Sequence, residues 1–161
     1  MIKKAILIIV SLTLVQGFLF AAGSTLSGAP ESAPAFTLLD LENKQFSLSD
    51  FKGKPIILFF WTTWCPYCLS QLKLLNSMYV GLLEDGVEIV SINEDEFANK
   101  VPEFIKNHPL SYRILLDTDN NVARAFGVMG VPTYILINKE GRIVFSGNQF
   151  LQREYKDLIL R

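Results

Sequence analysis

Cys65 and Cys68 are the only cysteines among the 161 residues, and Pro66 and Tyr67 separate them. A helix accepts proline best at its first position, so Pro66 predicts that a helix begins there with Cys65 as its N-cap. The free amides of the first turn and the positive end of the helix dipole would stabilise a thiolate at Cys65. Cys68 would lie one turn later on the same face, close enough to form a disulfide with Cys65. The pair therefore predicts disulfide exchange, with Cys65 as an exposed attacking thiolate and Cys68 as a more buried resolving thiol.

Metal binding is an alternative of a different class for the same two thiols. Two thiolates at this spacing could hold a soft ion such as Cu(I), with Met129 as a third ligand, as in a Cu(I)-binding protein or metallochaperone. A zinc site needs about four ligands, and the one histidine of the chain, His108, is far from the pair in sequence. We therefore predict no metal and no cofactor other than a redox-active Cys65–Cys68 disulfide.

Composition excludes several other classes of protein. The chain carries 15 basic and 16 acidic residues, for a formal charge of −1. This balance leaves no excess of positive charge with which to bind nucleic acid, so no nucleic-acid partner is expected. Two cysteines are too few for a disulfide-rich scaffold, and a single histidine argues against a Ser-His-Asp or Cys-His enzyme.

The N-terminal segment has the pattern of an export signal. Lys3 and Lys4 precede an uncharged, mostly apolar stretch from residue 5 to residue 22. As a helix this stretch would span about 27 Å, slightly less than a hydrocarbon core of about 30 Å, and a secretory signal has the same charged start. We predict a signal peptide or signal anchor at 1–22, a flexible Gly/Ser/Pro/Ala tether at 23–35 and a folded domain at 36–161. The domain is thus expected in the cell envelope, in the periplasm or on the outer face of the cytoplasmic membrane, either anchored or secreted.

Strand and helix patterns alternate along the predicted domain. The run at 56–61 is continuously apolar, which is typical of a strand covered on both faces. The predicted strands are 36–39, 45–48, 56–61, 87–92, 114–116, 133–137 and 142–146, and the predicted helices are 66–84, 99–107, 122–126 and one from about 149. Strands joined by crossover helices indicate an α/β fold whose sheet is parallel at its centre and antiparallel at its edges.

Two motifs now identify a family resemblance. Residues 60–68 resemble the active-site strand and loop of thioredoxin-fold proteins, and residues 127–133 resemble their cis-proline loop. Three further segments resemble those of the TlpA/ResA-type branch of this fold, whose members are membrane-tethered thiol-disulfide oxidoreductases. They are the opening hairpin, residues 52–55 before the strand at 56–61, and the crossover insert between Asn93 and Asp117. The resemblance implies a thioredoxin-like three-layer sandwich, with a mixed central sheet, helices on both faces and an N-terminal β-hairpin.

The resemblance also assigns roles to site residues. It implies that Cys65 attacks, that Cys68 resolves and that Pro132 is held cis opposite the disulfide. Protein clients are expected to contact Pro132 and its neighbours near the pair, which are Trp64, Pro66, Tyr67 and Val131.

A proton acceptor for the pair must come from an unusual position. Ordinary thioredoxins have a buried aspartate six residues before the first cysteine, where this chain has Phe59. If the strands at 56–61 and 87–92 are parallel neighbours, their carboxyl ends bring residues 93–96 close to the cysteines. This geometry supports Glu96 or a neighbour as the acceptor, and the resemblance implies Glu96, which matches an acidic residue of some family members. Glu94 and Asp95 are expected to face the solvent.

The resemblance also indicates the class of client and the direction of electron transfer. It implies protein thiol or disulfide clients and favours a reductant, for example of apocytochrome c thiols, while an oxidant that installs disulfides in exported proteins stays open. With no second cysteine pair in the chain, a separate membrane thiol-disulfide partner would have to recharge Cys65 and Cys68. A peroxidase is a further alternative by resemblance, because peroxiredoxins share part of this fold and normally have a threonine three residues before the reactive cysteine, as Thr62 stands before Cys65. A Cys-x-x-Cys pair that opens a helix argues against it.

Overall fold

The computed structural model describes residues 31–95, 97 and 99–160. The strands are β1 (Thr37–Asp40), β2 (Gln45–Ser47), β3 (Ile56–Trp61), β4 (Glu88–Asn93), β5 (Arg113–Leu116), β6 (Thr133–Ile137) and β7 (Ile143–Gly147), and the helices are α1 (Pro66–Glu84), α2 (Lys100–Asn107), α3 (Asn121–Ala125) and α4 (Tyr155–Ile159). Within this part of the chain, the strands form one sheet in the order β2-β1-β5-β4-β3-β6-β7.

The centre of the sheet is parallel and its edges are antiparallel, as the sequence predicts. β3 pairs in parallel with β4, and β4 with β5, whereas β6 runs antiparallel to β3. Trp61 is in register with Asn93, so the carboxyl ends of β3 and β4 lie level. Phe60 is in register with Thr133, so the start of β6 lies level with the carboxyl ends of β3 and β4. The segments that follow β3 and β4 and the segment that precedes β6 therefore meet at the carboxyl ends of these two strands.

Apolar side chains cover both faces of β3, and all six of its residues are buried. Phe59 and Trp61 point into the layer that includes Leu72 of α1. Phe60 points into the opposite layer, which includes Phe126 at the end of α3. Burial of a large apolar side chain stabilises a fold by about 1.5–3 kcal/mol, so β3 is a rigid base for the loop that follows it.

Helix α1 has the predicted bounds at both ends. Pro66 is its first residue and Cys65 is its N-cap. The helix ends before Gly86, which has a φ of 75°. This left-handed conformation favours glycine and stops the helix there.

The last helix is shorter than predicted. We expected a helix from about residue 149, but α4 begins at Tyr155. The Phe150 ring lies 5.5 Å from the Tyr155 ring and 5.4 Å from the Tyr134 ring, measured between centroids. These contacts hold Phe150 against the core, so aromatic packing overrides the helical pattern just before α4.

Most of the N-terminal segment for which we made predictions lies outside the described residues. In the part of the chain that the structure does describe, no helix is long and apolar enough to cross a membrane. The Ala33 amide donates to the Gly141 carbonyl at 2.9 Å, and the Ile143 amide donates to the Glu31 carbonyl at 2.8 Å. The signal segment and the bounds of tether and domain stay predictions.

Candidate active site

A Cys65–Cys68 disulfide lies at the N-terminal end of α1, with the two Cα atoms 5.3 Å apart. The N-cap residue Cys65 has extended backbone angles, and its Sγ accepts a hydrogen bond from the Cys68 amide at 3.1 Å. This contact places the sulfur of Cys65 where the helix dipole and a first-turn amide favour negative charge. The local geometry predicted for the pair is confirmed.

The two sulfur-bearing residues differ in burial in the predicted direction. Cys65 is 6% exposed and Cys68 is fully buried. Cys65 is therefore less accessible than the exposed thiolate we predicted, and it belongs to the same buried cluster as Cys68 and Leu72. Two large rings stand in solvent on either side of Cys65, since Trp64 is 72% exposed and Tyr67 is 77% exposed.

A cleft of about 580 Å³ opens next to the cysteine helix. Tyr67 and Gln71 of α1 line one wall, and Val131 and Pro132 line another. The Val131–Pro132 peptide bond is cis, as the resemblance implied. The structure thus brings Tyr67, Val131 and Pro132 together as predicted.

Sequence reasoning missed part of this cleft. Gln71 lies one turn beyond Cys68, and its Oε1 accepts a hydrogen bond from the Tyr134 hydroxyl at 2.8 Å. Burial raises the pKa of Tyr134 well above its ordinary value, so its hydroxyl stays a donor. Helical spacing from Cys68 could have identified Gln71. The remaining lining residues are Asn148, Gln149 and Phe150, which follow β7. No spacing in the sequence connects this segment with the cysteine pair.

Asp95 does not face the solvent, so that prediction is wrong. The residue is 4% exposed. Its Oδ2 accepts from the Thr63 amide at 2.7 Å, and its Oδ1 accepts from the Thr63 hydroxyl at 3.1 Å. The carboxylate turns inward because the loop after β3 offers it these two donors.

Glu94 also departs from the predicted solvent-facing position. Its amide donates to the Trp61 carbonyl at 2.9 Å, and the residue is half-buried. Its Oε1 is buried with no hydrogen-bond partner among the described residues. Burial, with a smaller contribution from the charge of Asp117, raises the pKa of Glu94 to about 7.

Glu96, the predicted proton acceptor, lies outside the described residues, and its role stays a prediction. The neighbourhood on which the prediction depends is present, because Asp95 at the end of β4 contacts Thr63 in the loop before Cys65. Residues 93–95 therefore adjoin the loop that carries the attacking cysteine.

The described residues hold no group of three or more His, Cys, Asp and Glu side chains placed to bind a metal ion. Met129, the third ligand considered for Cu(I), is 97% exposed. The absence of a metal or other cofactor stays a prediction.

Comparison with known proteins gives three similarities. The profile of the AhpC/TSA family matches residues 30–146. Thiol-disulfide oxidoreductase ResA of Bacillus thuringiensis subsp. konkukian is 36% identical over 135 residues, which cover 84% of this chain and 77% of that protein. ResA of Bacillus subtilis strain 168 is 37% identical over 130 residues, which cover 81% of this chain and 72% of that protein.

A solved structure agrees with these sequence similarities. The thioredoxin domain of a thiol-disulfide oxidoreductase from Bacteroides vulgatus matches with a TM-score of 0.71 and 27% identity, over 80% of this chain and 94% of that domain. The predicted thioredoxin-like fold, with a mixed sheet between helices, is confirmed.

Proposed function

We propose a function from family membership: the chain belongs to the AhpC/TSA family of thioredoxin-like proteins, and it is a ResA-like thiol-disulfide oxidoreductase that contains the Cys65–Cys68 pair. In our proposal it works outside the cytoplasm as a reductant of exported protein clients. The observation that carries the proposal is the disulfide at the start of α1, in which Cys65 Sγ accepts the Cys68 amide. That geometry favours a thiolate at Cys65 once the disulfide is reduced.

The proposed reaction transfers two electrons from the reduced pair to a client disulfide. The Cys65 thiolate attacks one client sulfur, forms a mixed disulfide and displaces the other client sulfur as a thiolate. Cys68 then loses its proton and attacks Cys65 Sγ, which releases the second client thiolate and restores the Cys65–Cys68 disulfide. The client gains two thiols once its thiolates are protonated.

Clients are proposed to bind over the surface around the disulfide. Trp64 and Tyr67 offer exposed aromatic area beside Cys65, and Pro66 lies between Cys65 and Tyr67 at the start of α1. Val131 and Pro132 line the adjoining cleft, which can receive a client side chain next to the reacting sulfur. Apocytochrome c thiols are the client class that we favour.

Glu96 is proposed to accept the proton that Cys68 loses. Phe59, at the position where ordinary thioredoxins have an aspartate, is fully buried and cannot accept a proton. Because Cys68 is fully buried, its thiol is expected to have a pKa above the usual value of about 8.5 and to need an acceptor. Residues 93–95 adjoin the loop before Cys65, which supports the proposal that the next residue, Glu96, accepts the proton directly or through water.

Redox titration of the pair against glutathione or dithiothreitol tests the proposed direction. We expect a potential of about −300 mV, which makes the reduced pair a strong donor of electrons. A potential of about −120 mV would instead indicate an oxidant that installs disulfides. The Cys65→Ala/Cys68→Ala double variant is the blank for this titration.

A membrane thiol-disulfide partner is proposed to re-reduce the pair, because the chain has no other cysteines.

Export is proposed because Lys3 and Lys4 precede an apolar stretch with the pattern of a signal peptide or anchor. A reporter enzyme that needs an oxidising compartment, fused after Arg161, should be active in cells. Deletion of residues 3–22 should abolish that activity, and an inactive reporter on the full-length fusion protein would contradict the proposed location.

A further inference from the structure

We propose that Asp95 is a positioning residue for the Cys65–Cys68 pair and makes it a stronger reductant, an inference that rests on the proposed function of these cysteines. Its carboxylate holds the turn in front of Cys65 and places a negative charge near the start of α1. The reaction described above does not use Asp95.

Three donors converge on the Asp95 carboxylate. The Thr63 amide lies 2.7 Å from Oδ2 and the Thr63 hydroxyl lies 3.1 Å from Oδ1. The Asn93 side-chain amide donates to Oδ2 at 2.8 Å, while Asn93 Oδ1 accepts the Asp95 amide at 3.0 Å. Asn93 itself is fully buried at the end of β4. The carboxylate is therefore fixed to the sheet on one side and to Thr63 on the other.

Thr63 lies within the short loop between β3 and Cys65. The fold fixes this loop at Trp61, where β3 ends in register with Asn93. At the other end the Cys65 amide donates to the Thr62 carbonyl at 3.4 Å, which closes a turn. Asp95 is the link that holds the middle of this loop, and without it the part-buried Thr63 amide and hydroxyl would lack their acceptor. An unsatisfied buried donor costs about 1–3 kcal/mol, so the loop would reorganise.

The charge of Asp95 has a separate consequence. A negative charge near the start of α1 opposes the helix dipole that favours the Cys65 thiolate. Destabilising that thiolate destabilises the reduced form of the pair, which makes its reduction potential more negative. Asp95 thus adds reducing power while it fixes the loop, in keeping with the proposed direction.

Asp95→Asn tests the effect of the charge, because asparagine keeps the shape and can keep the contacts with Thr63 and Asn93 while it removes the charge. We expect the pKa of Cys65, measured from the pH dependence of its alkylation rate, to fall by about one unit. We expect the equilibrium constant with glutathione to shift about tenfold toward the oxidant side, which corresponds to about 30 mV. Should Asp95→Asn not fold, Asp95→Ser also removes the charge, although its shorter side chain cannot hold the Thr63 amide as the carboxylate does, and it should shift both quantities in the same direction.

Asp117→Asn is a matched control. Asp117 is equally buried and accepts the Val122 and Ala123 amides at 3.1 and 2.8 Å, but it does so at the start of α3. Asp117→Asn should lower the free energy of unfolding without changing the reduction potential of the cysteine pair or the pKa of Cys65.

The outcomes separate this inference from the proposed function. If Asp95→Asn leaves both quantities at the wild-type values, or if Asp117→Asn moves them as far, the role of Asp95 is overturned while the wild-type pair still exchanges disulfides. If the wild-type pair fails to reduce a protein disulfide at all, the proposed function itself is wrong.

Discussion

Replacing Cys65 with alanine is expected to abolish disulfide exchange, whereas replacing Cys68 with alanine should leave the protein covalently attached to its clients. Cys65 caps α1 and is the partly exposed member of the pair, while Cys68 is fully buried. Without Cys65 no attack occurs, and loss of a nucleophile costs about a thousandfold or more in rate. Without Cys68 the mixed disulfide has no internal attacker and persists. Non-reducing gels and mass spectrometry of the adducts measure both effects.

Lys73→Ala provides the control for these cysteine variants, because Lys73 is exposed on α1 and should not affect exchange. Equal trapping of clients by both cysteine variants, or by neither, would contradict the assignment of Cys65 as attacker. Stoichiometric Cu(I) that the wild type retains through purification and both variants lose would favour the metal-binding alternative instead.

The centre of the fold could be predicted because several local signals agree there. The unbroken apolar run of β3 indicates a strand buried on both faces, and Pro66 marks the residue at which α1 begins. Gly86 marks its end through a backbone conformation that other residues rarely adopt. Each of these signals acts over a few residues, so no knowledge of the tertiary structure is needed to interpret it.

The inward position of Asp95 could not be predicted, because it depends on a contact across 32 residues of sequence. The sequence correctly places Asp95 beside the loop of Cys65, since β3 and β4 are parallel neighbours. Which of several consecutive polar residues turns inward depends on where β4 ends, and β4 ends one residue later than we predicted. The start of α4 was missed for a similar reason, since the ring contacts of Phe150 come from distant residues.

Glu94 and Asp95 show how adjacent carboxyl groups acquire different environments at a strand end. Asp95 turns toward the loop before Cys65 and finds three donors. The Glu94 carboxyl is instead half-buried and is repelled by the charge of Asp117, which accepts the Val122 and Ala123 amides at the start of α3. The buried oxygen of Glu94 has no donor among the described residues. We therefore expect Glu94 to affect stability rather than the exchange reaction.

The pH dependence of stability should report the environment of Glu94. Its pKa is about 7 in the folded protein against an ordinary value of 4.5. Below pH 4.5 the group is protonated in both states and has no effect on stability. Between pH 4.5 and 7 the unfolded chain loses the proton while the folded protein keeps it, so the free energy of unfolding falls as pH rises. The raised pKa corresponds to about 3 kcal/mol, and solvent screening of a half-buried carboxyl reduces this to about 1–2 kcal/mol.

Glu94→Gln and Glu96→Gln should therefore change different properties, the first stability and the second the rate of client release. Glutamine at 94 does not ionise, so the stability of Glu94→Gln relative to wild type should increase by about 1–2 kcal/mol between pH 4.5 and pH 8. Urea unfolding with the disulfide intact measures this difference, while client release should stay at the wild-type rate. Glu96→Gln, which removes the proposed proton acceptor, should slow client release without changing alkylation of Cys65 or the pH dependence of stability. Slow release in Glu94→Gln, with normal release in Glu96→Gln, would instead identify Glu94 as the base for Cys68.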